Sequence, residues 1–246
     1  MSPSLFQVLN ISSQDMNSRL QDLANSSNSM ANVNTIGYKS SRLNFQELLN
    51  EANRSGVKCS SSQIMTKQGA LVTTDVSTDV AINGDGFFGV TLPNGDIGYT
   101  RNGSFTLDSE NQLLDGNGYK IKYEGTIPAD ASEIAIDQNG TISALVDDEW
   151  VEAGSISLYR FTNPGGLTSI GNNILIESVN SGEAQTGSPG DTNFGILVPG
   201  TLESSNVNFA DELTHLIVVQ RSFQMASTAF QTTAEMINSA IHLRKG

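Results

Sequence analysis

Two heptad-spaced rows of side chains, one at each end of the chain, constrain this sequence more than anything between them. Leu213, Leu216, Gln220, Phe223, Ser227, Phe230, Ala234, Ile237 and Ile241 follow one another by alternating steps of three and four. Near the N-terminus, Phe6, Leu9, Ser13, Met16, Leu20, Leu23, Ser27 and Met30 repeat the pattern. Such spacing puts every member on one side of an α-helix. Each end is therefore predicted to be a helix with a single apolar seam, and a seam is stable only when something covers it. The two helices can cover each other or the seams of further copies. The N-terminal row is interrupted by Ser13 and Ser27 and lies in a Ser- and Asn-rich stretch of weak helix formers, so that helix depends on its partner.

Between the helices the pattern changes to strands and tight turns. Five Asn-Gly pairs, at 83–84, 94–95, 102–103, 117–118 and 139–140, suit the positive backbone angles of hairpins. Strand-like runs lie among them, including 86–92, 97–101, 104–107, 133–136, 141–146, 155–161 and 173–176. The expected fold class is α+β, with terminal amphipathic helices pairing as a coiled coil around a mainly antiparallel β domain carried on extended arms. The expected divisions are a helix over 1–34, an extended arm over 35–75, the β domain over 76–165, a Gly/Ser/Asn-rich return arm over 166–204 and a second helix over 205–246. Gly37 is a suitable helix stop. Ser205 or Asn206 is the expected N-cap of the second helix. Asp211 and Glu212 near its start, and His242, Arg244 and Lys245 near its end, suit the helix dipole.

The charge distribution narrows the classes of function. The chain of 246 residues carries a formal net charge of −13, which argues against general nucleic-acid binding. Residues 1–50 are neutral overall and residues 201–246 carry −1, so −12 falls on residues 51–200. Nearly neutral ends can pack against copies of themselves while an acidic middle stays solvated. The single cysteine, Cys59, excludes an intramolecular disulfide and a Cys-rich zinc site. No run is apolar enough to span a membrane, so membrane insertion is not expected. The N-terminus lacks the features of a cleaved secretory signal. His215 and His242 lie too far apart on one helix for a zinc motif, and Asp137–Gly140 lacks the bidentate Glu of a calcium loop. Asp147-Asp148-Glu149 is expected to be a hairpin tip rather than an acid–base pair. No catalytic residue, metal site or cofactor site is expected.

Four motifs, in this order, make the chain resemble the bacterial flagellar rod and hook proteins, also called the axial proteins. The first is Ala31-Asn32-Val33-Asn34-Thr35-Ile36-Gly37-Tyr38-Lys39. The second is Gln68-Gly69-Ala70-Leu71 followed by Asp79 through Phe88. The third is Tyr99-Thr100-Arg101-Asn102-Gly103-Ser104-Phe105, and the fourth Gly200-Thr201-Leu202-Glu203-Ser204-Ser205-Asn206-Val207 with the helix containing Val219-Gln220-Arg221-Ser222-Phe223. Arg160 through Leu167 and Gly171-Asn172-Asn173 resemble the middle segment of a rod member. The short length disfavours the hook members, which usually carry an additional outer domain. Between Phe45–Leu49 and Gly56-Val57 the chain lacks a segment that many rod members have, one associated in the family with rod character and straightness. Asn28-Ser29-Met30 also departs from the family pattern. With Ile127-Pro128-Ala129-Asp130-Ala131, this middle segment most resembles that of the distal rod members, and proximal rod or hook is the alternative axial position.

The resemblance implies a subunit whose terminal helices pair and line the inner tube, whose arms form the next layer, and whose β domain faces outward. It implies copies of the same chain as partners in a helical homopolymer, adjacent rod and hook proteins, and the flagellar type III export apparatus. Export would use an uncleaved N-terminal signal, and the polymer would be the periplasm-spanning rod of the basal body, transmitting torque. Residues expected to carry assembly are Phe6, Leu9, Met16, Leu20, Leu23 and Met30 on the first seam, and Leu213, Leu216, Gln220, Phe223, Phe230, Ile237 and Ile241 on the second. Ala31, Asn32, Asn34, Thr35, Gly37 and Tyr38 are the motif residues that close the first helix. A reading of another class is an adhesin-like or carbohydrate-binding β module on a coiled-coil stalk, which would need an exposed aromatic platform; Trp150 and a few Tyr are the available residues.

Overall fold

A computed structural model describes residues 5–47 and 57–245. It divides into two compact units, one formed by residues 1–31, 41–63 and 208–246, the other by residues 32–40 and 64–207.

The first unit contains α1 (Leu5–Ala31), α2 (Phe209–Lys245) and a two-stranded sheet of Ser41–Glu47 with Val57–Ile64. The two helices pack side by side. Asn25 ties α1 to this sheet: its Nδ2 donates to the Ser41 carbonyl at 2.6 Å and its Oδ1 accepts from Ser41 Oγ at 2.6 Å. α2 begins later than residue 205 or 206. Asn208 caps it, its Oδ1 accepting from the Ala210 N–H at 3.1 Å. Ser205 and Asn206 are engaged elsewhere, in the second unit: Ser205 Oγ accepts the Val207 N–H at 3.3 Å, and Asn206 bonds residues 38, 40, 65 and 67.

The second unit is all β apart from one 3₁₀ turn at Pro164–Gly166, and its described strand pairings are antiparallel. A nine-stranded sheet is centred on Phe87–Thr91, which pairs with Ile97–Thr100, Leu158–Arg160 and Lys120–Ile121. A four-stranded sheet runs Tyr123–Gly125, Glu149–Ile156, Thr141–Val146, Glu133–Ile136. The core between them holds Phe88, Phe105, Ile82, Leu113, Ile142, Ile156, Leu158 and Ile174, all at most 1% exposed. The stretch that reads as a return arm is largely paired. Thr168–Gly171 and Ile174–Ile176 extend the large sheet, and Gln185–Gly187 pairs with Leu158–Arg160. Ile174–Ile176 is the strand-like run read over 173–176; composition hides the other two because each has at most four residues and polar neighbours.

Two short pairings bring distant parts of the chain together. Val80–Asn83 pairs with Ile196–Pro199, and Leu71–Thr73 with Thr201–Glu203. Three Asn-Gly pairs, 94–95, 117–118 and 139–140, sit between paired strands, with Gly95, Gly118 and Gly140 at φ of 87°, 84° and 84°. Asn102-Gly103 is different. Gly103 accepts from the Val80 N–H at 2.9 Å, and a Cβ there would lie 1.6 Å from the Val80 carbonyl oxygen. Its glycine is required by close approach of two backbones rather than by a turn.

Candidate functional site

In the first unit, α2 turns two rows toward burial. Val219, Ala226 and Thr233 form one, seven residues apart and at most 9% exposed. Leu216, Phe223, Phe230 and Ile237 form the other at the same spacing and are half-buried. Leu213, Gln220 and Ile241 of the expected seam lie outside this face and are exposed. The buried companion of the large side chains is thus the residue one position before Gln220, Ser227 and Ala234. Heptad spacing allows this, because Val219, Ala226 and Thr233 also lie three residues after one large side chain and four before the next.

α1 behaves differently. Its most buried residues are Ser12, Ser18, Asp22, Ser26 and Ser29, a face rotated roughly a third of a turn from the apolar seam. Leu9, Met16, Leu23 and Met30 are half-buried and Leu20 is exposed, while Phe6 lies on α1 with its side chain outside the described residues. A groove runs along one edge of the helix pair. Leu20 and Leu23 of α1 line this groove, of about 310 Å³, with Val219, Gln220 and Phe223 of α2. His215 Nε2 lies 3.2 Å from Asp22 Oδ1 across the pair, a polar contact that the spacing of the apolar residues does not announce.

The opposite side of α2 is exposed and carries apolar side chains among polar ones. Ile217, Val218, Met225 and Met236 are all more than half exposed. Arg221, Gln224, Met225, Thr228, Ala229 and Thr232 line an open groove there of about 510 Å³.

In the second unit, the family-like motifs converge on one buried carboxylate. Glu203 is 1% exposed. Its Oε1 accepts from Lys39 Nζ at 2.6 Å and from the Gly69 N–H at 2.8 Å, and its Oε2 lies 3.5 Å from Arg101 NH1. Its own carbonyl accepts the Gly37 N–H at 2.7 Å. Lys39 Nζ also donates to the Lys67 carbonyl at 2.9 Å, and Arg101 NH2 to the Gly84 carbonyl at 2.9 Å. Arg101 lies over the Phe87 ring, 5.1 Å from its centroid. Burial pushes both cations below their ordinary pKa values, and Glu203 pulls each back up. Asn206 closes the other side: its Oδ1 accepts from the Ser40 N–H at 2.8 Å and its Nδ2 donates to the Met65 and Lys67 carbonyls.

The motif after α1 is built for this junction. Asn32 and Thr35 hold the turn, Thr35 Oγ1 donating to Asn32 Oδ1 at 3.1 Å. Gly37 has φ 66° and would put a Cβ 2.5 Å from the Asn102 nitrogen. The Tyr38 carbonyl accepts from the Asn206 N–H at 3.2 Å. Ala31 and Asn34 are exposed. Sequence reading named most of these residues as motif members but missed Lys39, Arg101 and Glu203 as one cluster. The available signal was three ionisable residues inside otherwise uncharged or apolar motif stretches.

The remaining titratable candidates stay dispersed. Asp147 and Asp148, at φ 51° and 65°, form the exposed tip of the hairpin between Thr141–Val146 and Glu149–Ile156. The Gly140 N–H donates to the Asp137 carbonyl at 3.0 Å in a turn. Trp150 is a strand residue, 53% exposed, and no second large aromatic of this unit is exposed beside it among the described residues. No three His, Cys, Asp or Glu side chains of the described residues come together as a metal site, and no described helix is long and apolar enough to cross a membrane.

Comparison with known proteins agrees with this geometry. Residues 81–144 match the family model described as the flagellar hook protein FlgE/F/G D1 domain, and residues 198–243 that of the flagellar basal body rod FlgEFG protein C-terminal. The chain is 36% identical to the flagellar basal-body rod protein FlgG of Borreliella burgdorferi, over 89% of this chain and 91% of that protein. It is also 36% identical to FlgG of Bacillus subtilis, with the same coverage. It is 30% identical to the flagellar hook-basal body complex protein FlhP of Bacillus subtilis, over 92% of this chain and 94% of that one. The chain belongs to the FlgG family of flagellar basal-body rod proteins and is a structural axial subunit of the rod, not an enzyme.

Proposed function

We propose that this subunit polymerises head-to-tail through the helices of its first unit, as a section of the distal rod. The observation that carries the reading is the two-sided character of α2: one face packs toward α1, and the other leaves Ile217, Val218, Met225 and Met236 in solvent. A heterologous interface that does not close on itself generates a helical polymer. Burying such a stripe contributes roughly 25 cal/mol per Å² of apolar surface, before the cost of ordering. In this reading α1 and α2 form the coiled-coil inner wall, the segments joining the two units form the arms, and the acidic β unit faces outward. Phe6, Leu9, Met16, Leu20, Leu23 and Met30 act with Leu213, Leu216, Gln220, Phe223, Phe230, Ile237 and Ile241 as the assembly surface. Partners are further copies, the adjoining rod and hook proteins, and the type III export apparatus, which passes the chain without a cleaved signal. The rod so formed spans the periplasm.

The test is Phe223→Asp in the full chain. It should abolish sedimenting polymer and motility while the β unit keeps its near-UV circular dichroism and thermal transition. A normal polymer from that variant would remove the helix pair from the assembly surface. A stalked binding module is less well supported, because among the described residues no exposed large aromatic of the β unit joins Trp150 to form a platform.

A further inference from the structure

We propose that a polar cleft in the β unit, headed by Arg160 and Arg101, binds a carboxylate side chain of a neighbouring copy of this chain. The cleft has a volume of about 220 Å³ and is lined by Thr66, Asp85, Phe87, Arg101, Arg160 and Thr162, among others. That is below the roughly 300–1,000 Å³ of small-molecule sites and suits the end of one side chain.

Two observations point to an anion. Arg101 is 4% exposed, and although its two terminal nitrogens are engaged, its buried Nε has no hydrogen-bond partner among the described residues. A buried donor left open is costly, and it adds to the unbalanced positive charge here. Arg160, half-buried on the same cleft, makes no ion pair among the described residues. Against these two cations the cleft wall carries one carboxylate, Asp85, while Glu203 is shared with Lys39. The cleft is therefore locally positive in a chain with 26 acidic and 13 basic residues. Guanidinium groups present donors in a planar fork that fits a carboxylate. In a homopolymer the most abundant carboxylates nearby belong to the next subunit, so this choice of occupant rests on the polymer reading above.

The experiment has two arms. In the first, the full-length subunit, below its polymerisation threshold, is titrated with sodium acetate and with sodium chloride at matched ionic strength, following the arginine Nε–Hε NMR signals. A saturable acetate shift at Arg101 and Arg160, lost in Arg160→Gln, is expected. A response no different from chloride overturns the proposal. In the second, the critical concentration for polymerisation is compared for wild type, Arg160→Lys, Arg160→Gln and Arg160→Glu, after circular dichroism has shown each to be folded. Arg160→Glu should raise it roughly tenfold, Arg160→Gln less, and Arg160→Lys least. Acetate binding with unchanged polymerisation of Arg160→Glu would give the cleft to a free carboxylate and overturn the neighbouring copy as occupant. A wild type that does not polymerise would defeat the axial reading and that occupant together, while the acetate arm would still decide the cleft.

Discussion

Replacing Glu203 by Gln keeps the shape of the junction and removes the carboxylate that Lys39 and Arg101 share. Two cations, Lys39 and Arg101, with side chains 4% exposed, then lie buried without the carboxylate they pair with, Asp85 being left as the acidic group near Arg101. Removing one partner of a buried ion pair costs about 3–5 kcal/mol. In a unit of about 150 residues, where 1 kcal/mol moves the midpoint by roughly 2–4 °C, the melting temperature should fall by about 6–20 °C. Lys39→Met is a milder change, because Glu203 keeps Arg101 and the Gly69 N–H. About 1–2 kcal/mol is expected, with the Lys67 carbonyl left short of one donor. The pH dependence sharpens the test. Burial already lowers the Lys39 pKa from 10.5 and Glu203 opposes that lowering, so Glu203→Gln lowers it further. With the folded-state pKa below the unfolded one, the unfolded chain binds more protons in that window, and stability rises with pH between the two values. The deficit of Glu203→Gln should therefore be largest near neutrality and shrink as pH approaches ten. Thermal unfolding followed by near-UV circular dichroism measures it. A midpoint within 2 °C of wild type at neutral pH, on the scale of less than about 1 kcal/mol, would refute the reasoning.

Two further outcomes follow from the same unit. Gly103→Ala should cost at least about 3 kcal/mol, since its Cβ would fall on the Val80 carbonyl, whereas Gly95→Ala, with open space around it, should cost only the left-handed backbone term of about 1–2 kcal/mol; equal losses in urea unfolding would contradict the close-approach argument. Burial, helped by Glu177 and Tyr159, pushes the Tyr99 hydroxyl up to about 12. The folded state then holds a proton that the unfolded state releases from about 10. Stability should fall between about pH 10 and 12, and Tyr99→Phe should flatten that slope; an unchanged slope, with tyrosinate absorbance as the companion readout, would exclude Tyr99 as its source.

The terminal helices, the β texture between them and the turn chemistry at Gly95, Gly118 and Gly140 were legible in the sequence, because each rests on local rules: heptad spacing, short extended runs and positive φ at glycine. What was not legible depended on which distant residues meet. The α1 seam could be drawn from its apolar residues, but the face that is buried is the serine-rich one around Asp22. Small side chains permit close packing without leaving an apolar trace in the sequence. Asn102-Gly103 looked like a fifth turn, and its role emerges only when Val80 is laid against it.

The sequence by itself determined the kinds of element, their order and the family, since spacing and motif order are properties of one dimension. Tertiary structure alone decided that Lys39, Arg101 and Glu203, from three separate stretches, share one buried site. It also decided that Arg160 belongs to the same cleft as Arg101. The reason is physical: a charge's partner is chosen by proximity in a low-dielectric interior, where an unmatched ion is costly, and chain separation carries no record of that distance.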